Sequence, residues 1–154
     1  MNLDFERKEE INYSIIIPHK NSTERCLKSI PCRKDVQVIV VDDNSENQEE
    51  LNAVVGGFSQ VELILTQGGG AGHARNEGLK YIRGKWVLFA DADDFYNKNA
   101  FSILDNYINS DNDVIYFFAN SLDVNTLLPT PREKDLQNIY EKYDSDNIRS
   151  ADYI

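Results

Sequence analysis

The sequence predicts an α/β fold: a three-layer α/β/α arrangement built around a mainly parallel sheet. Three observations carry that prediction. Short β-branched runs such as Val36-Gln-Val-Ile-Val-Val41 alternate along the chain with stretches of helical periodicity. These runs are almost wholly apolar rather than alternating, as strands covered on both faces are. Each is followed by a polar or glycine-rich loop and then a helical stretch, which is the order of βαβ units. At 154 residues and 41% hydrophobic content, the chain can build one domain with a real core and is short for two.

Taken in order, Tyr13-Ser-Ile-Ile-Ile-Pro18 is the first strand, and Pro18, which has no N–H to donate, is expected to end its ladder. Ser22 or Thr23 is placed to cap a short helix through Cys26 and Leu27 that must stop before Pro31. The second strand, 36–41, runs into Asp42-Asp43-Asn44-Ser45. Ser45 and Gln48 have the spacing of a capping box, for a helix reaching Val55 and a stop at Gly56-Gly57. A third strand, 61–65, feeds the loop Gly68-Gly-Gly-Ala-Gly72 and a helix over 71–83, with Gly84 as its left-handed terminator. The fourth strand, 86–90, is apolar enough to be expected buried on both faces. A helix over 100–108 and a fifth strand over 114–118 follow. Beyond Ala119 the pattern weakens, to a loop at Pro129 and Pro131 and a polar helix near 134–143.

Charge narrows the possible partners. The formal net charge is -10, from 26 acidic against 16 basic residues, which argues against a surface that tracks nucleic-acid phosphates. A phosphate held by this chain needs local help from a metal, a backbone nest or a well-placed Arg. Cys26 and Cys32 are too few for a disulfide framework and lack zinc-site spacing, so they read as free thiols. The first ten residues are polar and charged, unlike a signal peptide, and no apolar run reaches membrane-spanning length; both point to a cytoplasmic location.

The chemistry-bearing segments all follow strands, at the edge where open parallel sheets bind ligands. After the fourth strand, Asp91-Ala-Asp93-Asp94 sets three carboxylates in one short loop, a donor set suited to Mg2+ or Mn2+ shared with substrate phosphates. Such a turn also occurs as a solvated helix cap. The glycine run fits neither familiar phosphate fingerprint: the sixth residue from Gly68 is His73, from Gly70 it is Arg75, and no Gly-Lys-Ser/Thr is present. What remains is a loop whose N–H groups can face an anion at a helix start, with Arg75 one turn in, or else a plain linker. Asp42-Asp43 can accept the N–H of a nucleobase, can pair as receiver acids, or can simply favour the helix that follows. His19 and His73 have no carboxylate or Cys partner at metal-ligand spacing.

Together and in order, Ser14-Ile-Ile-Ile-Pro18-His-Lys-Asn21, Val40-Val-Asp42-Asp43-Asn-Ser45, Gly72-His-Ala-Arg75-Asn76-Glu-Gly78-Leu79 and Phe89-Ala-Asp91-Ala-Asp93-Asp94 resemble the nucleotide-binding half of family 2 glycosyltransferases with the GT-A fold. The resemblance covers about residues 13–118. It implies that Pro18, His19 and Asn21 line the nucleotide, that Asp43 holds the base, commonly uracil, and that Arg75 lies near the phosphates. Asp91 would sit by the ribose and Asp93 on the metal, Mn2+ or Mg2+. The implied partners are a UDP-sugar donor and a glycan, lipid or other acceptor, with peripheral association of the whole protein at the inner face of a membrane.

Family members continue into a half that carries the acceptor site and a general base. No motif before Ile154 matches it, so the catalytic base is unassigned, as is the segment 119–154. The expectation is a single GT-A domain over 1–154, truncated to its donor-binding part. Two other classes remain in view. One is a receiver-type signalling domain with Asp42-Asp43 as acid pair and Asp91 or Asp93 as phospho-acceptor. The other is a Mg-dependent phosphatase with Asp91 as nucleophile and Asp93 as acid, or a nucleotidyltransferase of related fold.

Overall fold

A computed structural model describes residues 10–22 and 24–115. Four parallel strands, β1 (Tyr13–His19), β2 (Val36–Asp42), β3 (Val61–Leu65) and β4 (Trp86–Phe89), lie in the order β3-β2-β1-β4. Between them run α1 (Arg25–Ser29), α2 (Gln48–Val55) and α3 (Gly70–Gly78), the last extended by a 3-10 turn over Leu79–Tyr81. After β4 come α4 (Ala100–Leu104) and a 3-10 turn over Asp105–Tyr107.

The pleat sorts side chains onto two faces. Tyr13, Ile15, Ile17, Val36, Val38 and Val40 pack with Cys26 and Leu27 of α1, Leu51 and Val55 of α2, and Phe101 and Leu104 of α4. Ile16, Ile39 and Val41 point the other way, onto Ala74 of α3. The sheet is therefore sandwiched by helices, as expected. The chain winds outward from β1 to β3 and then crosses back to β4 on the far side of β1, so the winding reverses between β1 and β4. In doubly wound sheets the crevice at such a reversal, beyond the carboxyl ends of the strands, is where ligands bind.

Several local expectations need correction, each for a physical reason. Pro18 does not end β1, which pairs with β2 through His19. Along β1 the even-numbered residues bond toward β4, as the Ala90 N–H to Ile16 carbonyl bond shows. Pro18 is the next even position, and with no N–H to offer it closes the β1–β4 ladder instead. The start of α2 is capped two residues later than Ser45: Asn47 accepts the Glu50 N–H at 3.2 Å and returns its own amide to the Glu50 carboxylate at 3.0 Å. Gly56, beyond the last turn, keeps right-handed geometry at φ −58°. The N-cap of α1 is Glu24, with no side-chain capping bond, so Ser22 does not cap it; Thr23 lies outside the described residues.

The helix after the glycine loop ends by Tyr81, and Gly84 is not a left-handed terminator. Ser14 and Gln37, buried on this face of the sheet, capture the chain. Ser14 Oγ accepts the N–H groups of Arg83 and Gly84 at 3.1 and 2.8 Å, and Gln37 Oε1 accepts that of Arg83 at 3.0 Å. Gly84 is needed for closeness, since a Cβ there would lie 2.5 Å from the Ser14 nitrogen. Gly78 serves α3 in the same way, its missing Cβ leaving room for Ile16.

Strand β4 is half-buried rather than fully covered, because among the described residues it forms an edge of the sheet. The compact unit built on the sheet runs to Ile108, and residues 109–115 adopt neither helix nor strand. Val114 and Ile115 thus do not begin the fifth strand. The rest of that strand, the prolines at 129 and 131 and the helix near 134–143 lie outside the described residues. No helix among the described residues is long and apolar enough to cross a membrane.

Candidate functional site

Two adjacent carboxylates leave β2 in opposite directions. Asp42 is fully buried and turns toward the α1–α2 side. It accepts the Ser45 N–H at 3.1 Å and the Ser45 hydroxyl, and its Oδ1 lies 3.5 Å from His19 Nδ1. Its carbonyl takes both the N–H and the hydroxyl of Thr66 at 2.9 Å, so it ties the ends of β2 and β3 together. Every oxygen of Asp42 is occupied by the fold. His19 joins this network rather than the neighbouring acid, its ring also 3.4 Å from Ser45 Oγ. Asn21 does likewise, in left-handed conformation at φ 47°: its N–H donates to Ser45 Oγ and its Oδ1 accepts the Glu46 N–H, both at 2.9 Å.

Asp43 turns the other way. Its two oxygens share the N–H of Gly70, at 3.0 and 3.1 Å, so the carboxylate sits against the first residue of α3 where a negative charge is favoured. Gly68, Gly69 and Gly70 reach that point at φ 95°, 140° and 86°, a left-handed run that side chains rarely adopt. The sequence showed a flexible loop here, while its binding to Asp43 is tertiary. Lys20 also arrives, its ammonium 3.7 Å from Asp43 Oδ2. Sequence reasoning passed over Lys20, although it is the one cation in the loop that follows β1.

One turn into α3, Arg75 reaches across to the end of β4 and meets Asp91 at 2.5 Å. The Arg is largely covered and the Asp half exposed, at 12% and 55% side-chain exposure. Arg75 Nε is buried without a hydrogen-bond partner, a donor left open beside the acidic turn. The turn itself is compact: Asp94 N–H donates to the Asp91 carbonyl at 3.1 Å, and Asp93 and Asp94 are exposed. It is strapped to α1 by the Cys26 N–H on the Ala92 carbonyl at 3.2 Å and by the Tyr96 N–H on Ser29 Oγ at 2.8 Å. Cys26 lies buried behind the turn, its thiol pushed up to about 12 by burial and the nearby carboxylates of Asp94, Asp91 and Asp93.

The structure thus unites Asp43, the glycine loop, Arg75 and Asp91 on the α3 side of the carboxyl edge, while the side chains of His19 and Asn21 belong to the α1–α2 side. On that second side lies a cavity of about 430 Å³ whose walls include Glu24, Glu46 and Glu50 and none of Asp43, Arg75, Asp91 or Asp93. An acid-walled space disfavours phosphate, although His19 and Asn21 also line it. Among the described residues no three His, Cys, Asp or Glu side chains gather as a ready metal cage. The exposed oxygen donors of Asp93 and Asp91 nevertheless fit Mg2+ or Mn2+, which commonly take one or two carboxylates and complete their shell with phosphate and water.

A parallel sheet whose winding reverses, with an acidic turn after β4 and a glycine loop after β3 at its carboxyl edge, is the architecture of a GT-A type fold. The glycosyl transferase family 2 model matches residues 14–152, and the chain belongs to that family. The chain is 35% identical to the amylovoran biosynthesis glycosyltransferase AmsB of Erwinia amylovora, over 59% of this chain and 34% of that protein. It is 31% identical to the poly(ribitol-phosphate) beta-N-acetylglucosaminyltransferase TarP of Staphylococcus aureus, over 61% of this chain and 32% of that protein. The crystal structure of S. aureus TarS 1-349 superposes with a TM-score of 0.56 at 28% identity, over 64% of this chain and 32% of the other. The chain therefore spans about a third of the length of these relatives.

Proposed function

We propose that this chain is the donor-binding part of a glycosyltransferase and takes up a UDP-sugar together with Mg2+ or Mn2+. The observation that carries the reading is Arg75, whose single guanidinium bond joins α3 to the acidic turn while its buried Nε has no partner. A buried donor of this kind gains by meeting an anion, and a diphosphate laid between the glycine loop and the turn would supply one. Asp43, fixed by Gly70, would accept the N–H of the base. Pro18, with His19 and Asn21 shaping the loop behind it, would line the nucleotide, Asp91 would reach the ribose and Asp93 would hold the ion. The ion, when bound, neutralises charge on the departing nucleoside diphosphate. Arg75 and the loop N–H groups would orient the same phosphates and exclude water from them.

Residues 1–154 are proposed to form one GT-A domain, with about 13–118 forming the donor side. Transfer to a glycan, lipid or other acceptor, and the general base it needs, would rest on counterparts of the parts of these longer relatives that the match does not cover. A cytoplasmic position against the inner face of a membrane suits that role. The receiver reading loses its acid pair, since Asp42 is sealed inside the fold and Asp43 faces the opposite side.

Calorimetry of UDP binding with and without Mn2+ tests the proposal. Binding should be clearly tighter with the metal, and Asp93→Asn should remove that difference while leaving the melting temperature unchanged, because Asp93 is an exposed loop residue. Equal affinity in EDTA, or no binding under either condition, overturns it.

A further inference from the structure

We infer that Arg75 is a counter-ion that keeps the acidic turn from holding a divalent ion firmly until a diphosphate arrives, so that ion and nucleotide are taken up as a unit. The inference deepens the donor reading and rests on it. Two of the three carboxylates after β4 are already engaged within the fold. Asp91 pairs with Arg75 at 2.5 Å, and Asp94 Oδ2 accepts the Asp91 N–H at 3.4 Å, a long bond inside the turn. Asp93 is exposed, and among the described residues its carboxylate meets no donor. One such carboxylate is a thin ligand set for Mg2+ or Mn2+, which commonly draw on substrate phosphates as well.

The pair acts beyond its one bond. The Arg75 side chain is only 12% exposed, so water screens its charge poorly, and that charge opposes a cation brought to the same turn. Its buried Nε, without a partner, leaves the guanidinium able to take a second anion. A diphosphate that engages this donor draws positive charge away from Asp91 and returns the turn's negative charge to the ion. Each ligand then strengthens the other by the same factor, since such coupling is reciprocal. Arg25, on α1, brings a second guanidinium to this turn, but 3.5 Å from the Asp93 carbonyl. It is the control for charge alone.

The test is titration with Mn2+, without nucleotide, followed by the electron paramagnetic resonance signal of the free ion, on the wild type, Arg75→Gln, Arg75→Lys and Arg25→Gln. Arg75→Gln should bind Mn2+ roughly five- to tenfold more tightly than the wild type, as loss of one poorly screened charge suggests. Arg75→Lys, which keeps the charge, should match the wild type, and Arg25→Gln should gain less than about twofold. Repeated with UDP present, the titration should show UDP sharpening Mn2+ binding more in the wild type than in Arg75→Gln. Unchanged or undetectable Mn2+ binding by Arg75→Gln overturns the inference, as does an equal gain in Arg25→Gln or equal sharpening by UDP in both proteins. In those cases a wild type that binds UDP with Mn2+ leaves the donor reading standing. If the wild type binds no UDP with Mn2+, both readings fall.

Discussion

The two edges of the sheet each hold a charged cluster built around an arginine, and they are finished differently. At the amino edge Arg33 gives two bonds to Asp35, at 2.9 and 2.7 Å, and two to Asp105, at 2.9 and 3.0 Å. Tyr13 adds its hydroxyl to Asp105 at 3.0 Å and Asn12 its amide to Asp35 at 2.8 Å, and the guanidinium lies over the rings of Tyr13 and Phe101. At the carboxyl edge Arg75 makes one bond, to a half-exposed Asp91, and keeps a buried Nε open. Same residue types, opposite completion: the first cluster has spent its hydrogen-bonding capacity on the fold, and the second has kept it. A saturated cluster is a staple, whereas an unsaturated one at a winding reversal is equipped for a ligand.

That contrast breaks if substitutions at the amino edge disturb ligand binding or those at the carboxyl edge disturb stability. The largest effect on folding should come from Gly84→Ala at the amino edge, where the new Cβ would meet the backbone of Ser14 at 2.5 Å. Backbone has no rotamer with which to yield, so a loss of about 3 kcal/mol is expected in denaturant titration, with UDP affinity of the folded fraction unchanged. Next, Asp43→Ala should weaken UDP roughly ten- to a hundredfold at little cost in stability. Asp42→Ala should do the reverse, because its carboxylate serves only the loop. Equal effects of the two on affinity would mean that the loop, not recognition, is at stake.

Arg33→Ala should cost about 2 kcal/mol, between the values of exposed and buried pairs. Its pH signature is more telling than its size. The Arg33 guanidinium holds the carboxyls of Asp35 and Asp105 below the usual aspartate range. Groups that titrate lower when folded contribute in full above their unfolded pKa, about pH 4, and lose that contribution as pH falls through the folded value. The wild type should therefore lose stability on the acid side of about pH 4, and Arg33→Ala should flatten that limb in melting curves taken across pH. A small effect on stability, about 0.5 kcal/mol, is expected for Arg75→Gln, whose one ion pair is with a half-exposed carboxylate. Its effect on UDP should be far larger, and a stable protein that binds UDP as before would remove the distinction between the two edges.

The layers of the fold were legible in the sequence because burial on both faces demands near-continuous apolar runs. The spans 13–18, 36–41 and 61–65 each lie within a residue of an observed strand. The acids and glycines at the strand ends were legible for a related reason: residues just past a strand must turn, and the edge they turn on is where ligands approach. What local pattern could not decide was which partner each residue finds. Gly84 looked like a helix terminator because glycine serves that purpose as often as close approach, and only the buried Ser14 beneath it decides between them. Ser45 had capping-box spacing, but its hydroxyl donates to Asp42 and accepts the Asn21 N–H instead. The opposite facing of Asp42 and Asp43 follows from the period of two in a strand, so the sequence by itself determined that they would serve opposite faces of the sheet. Which one the loop after β2 would claim, and that Gly70 and Lys20 would meet the other, depended on where α2 and α3 lie across the sheet. Those are contacts between residues far apart in the chain, and their energies enter only once the layers are packed.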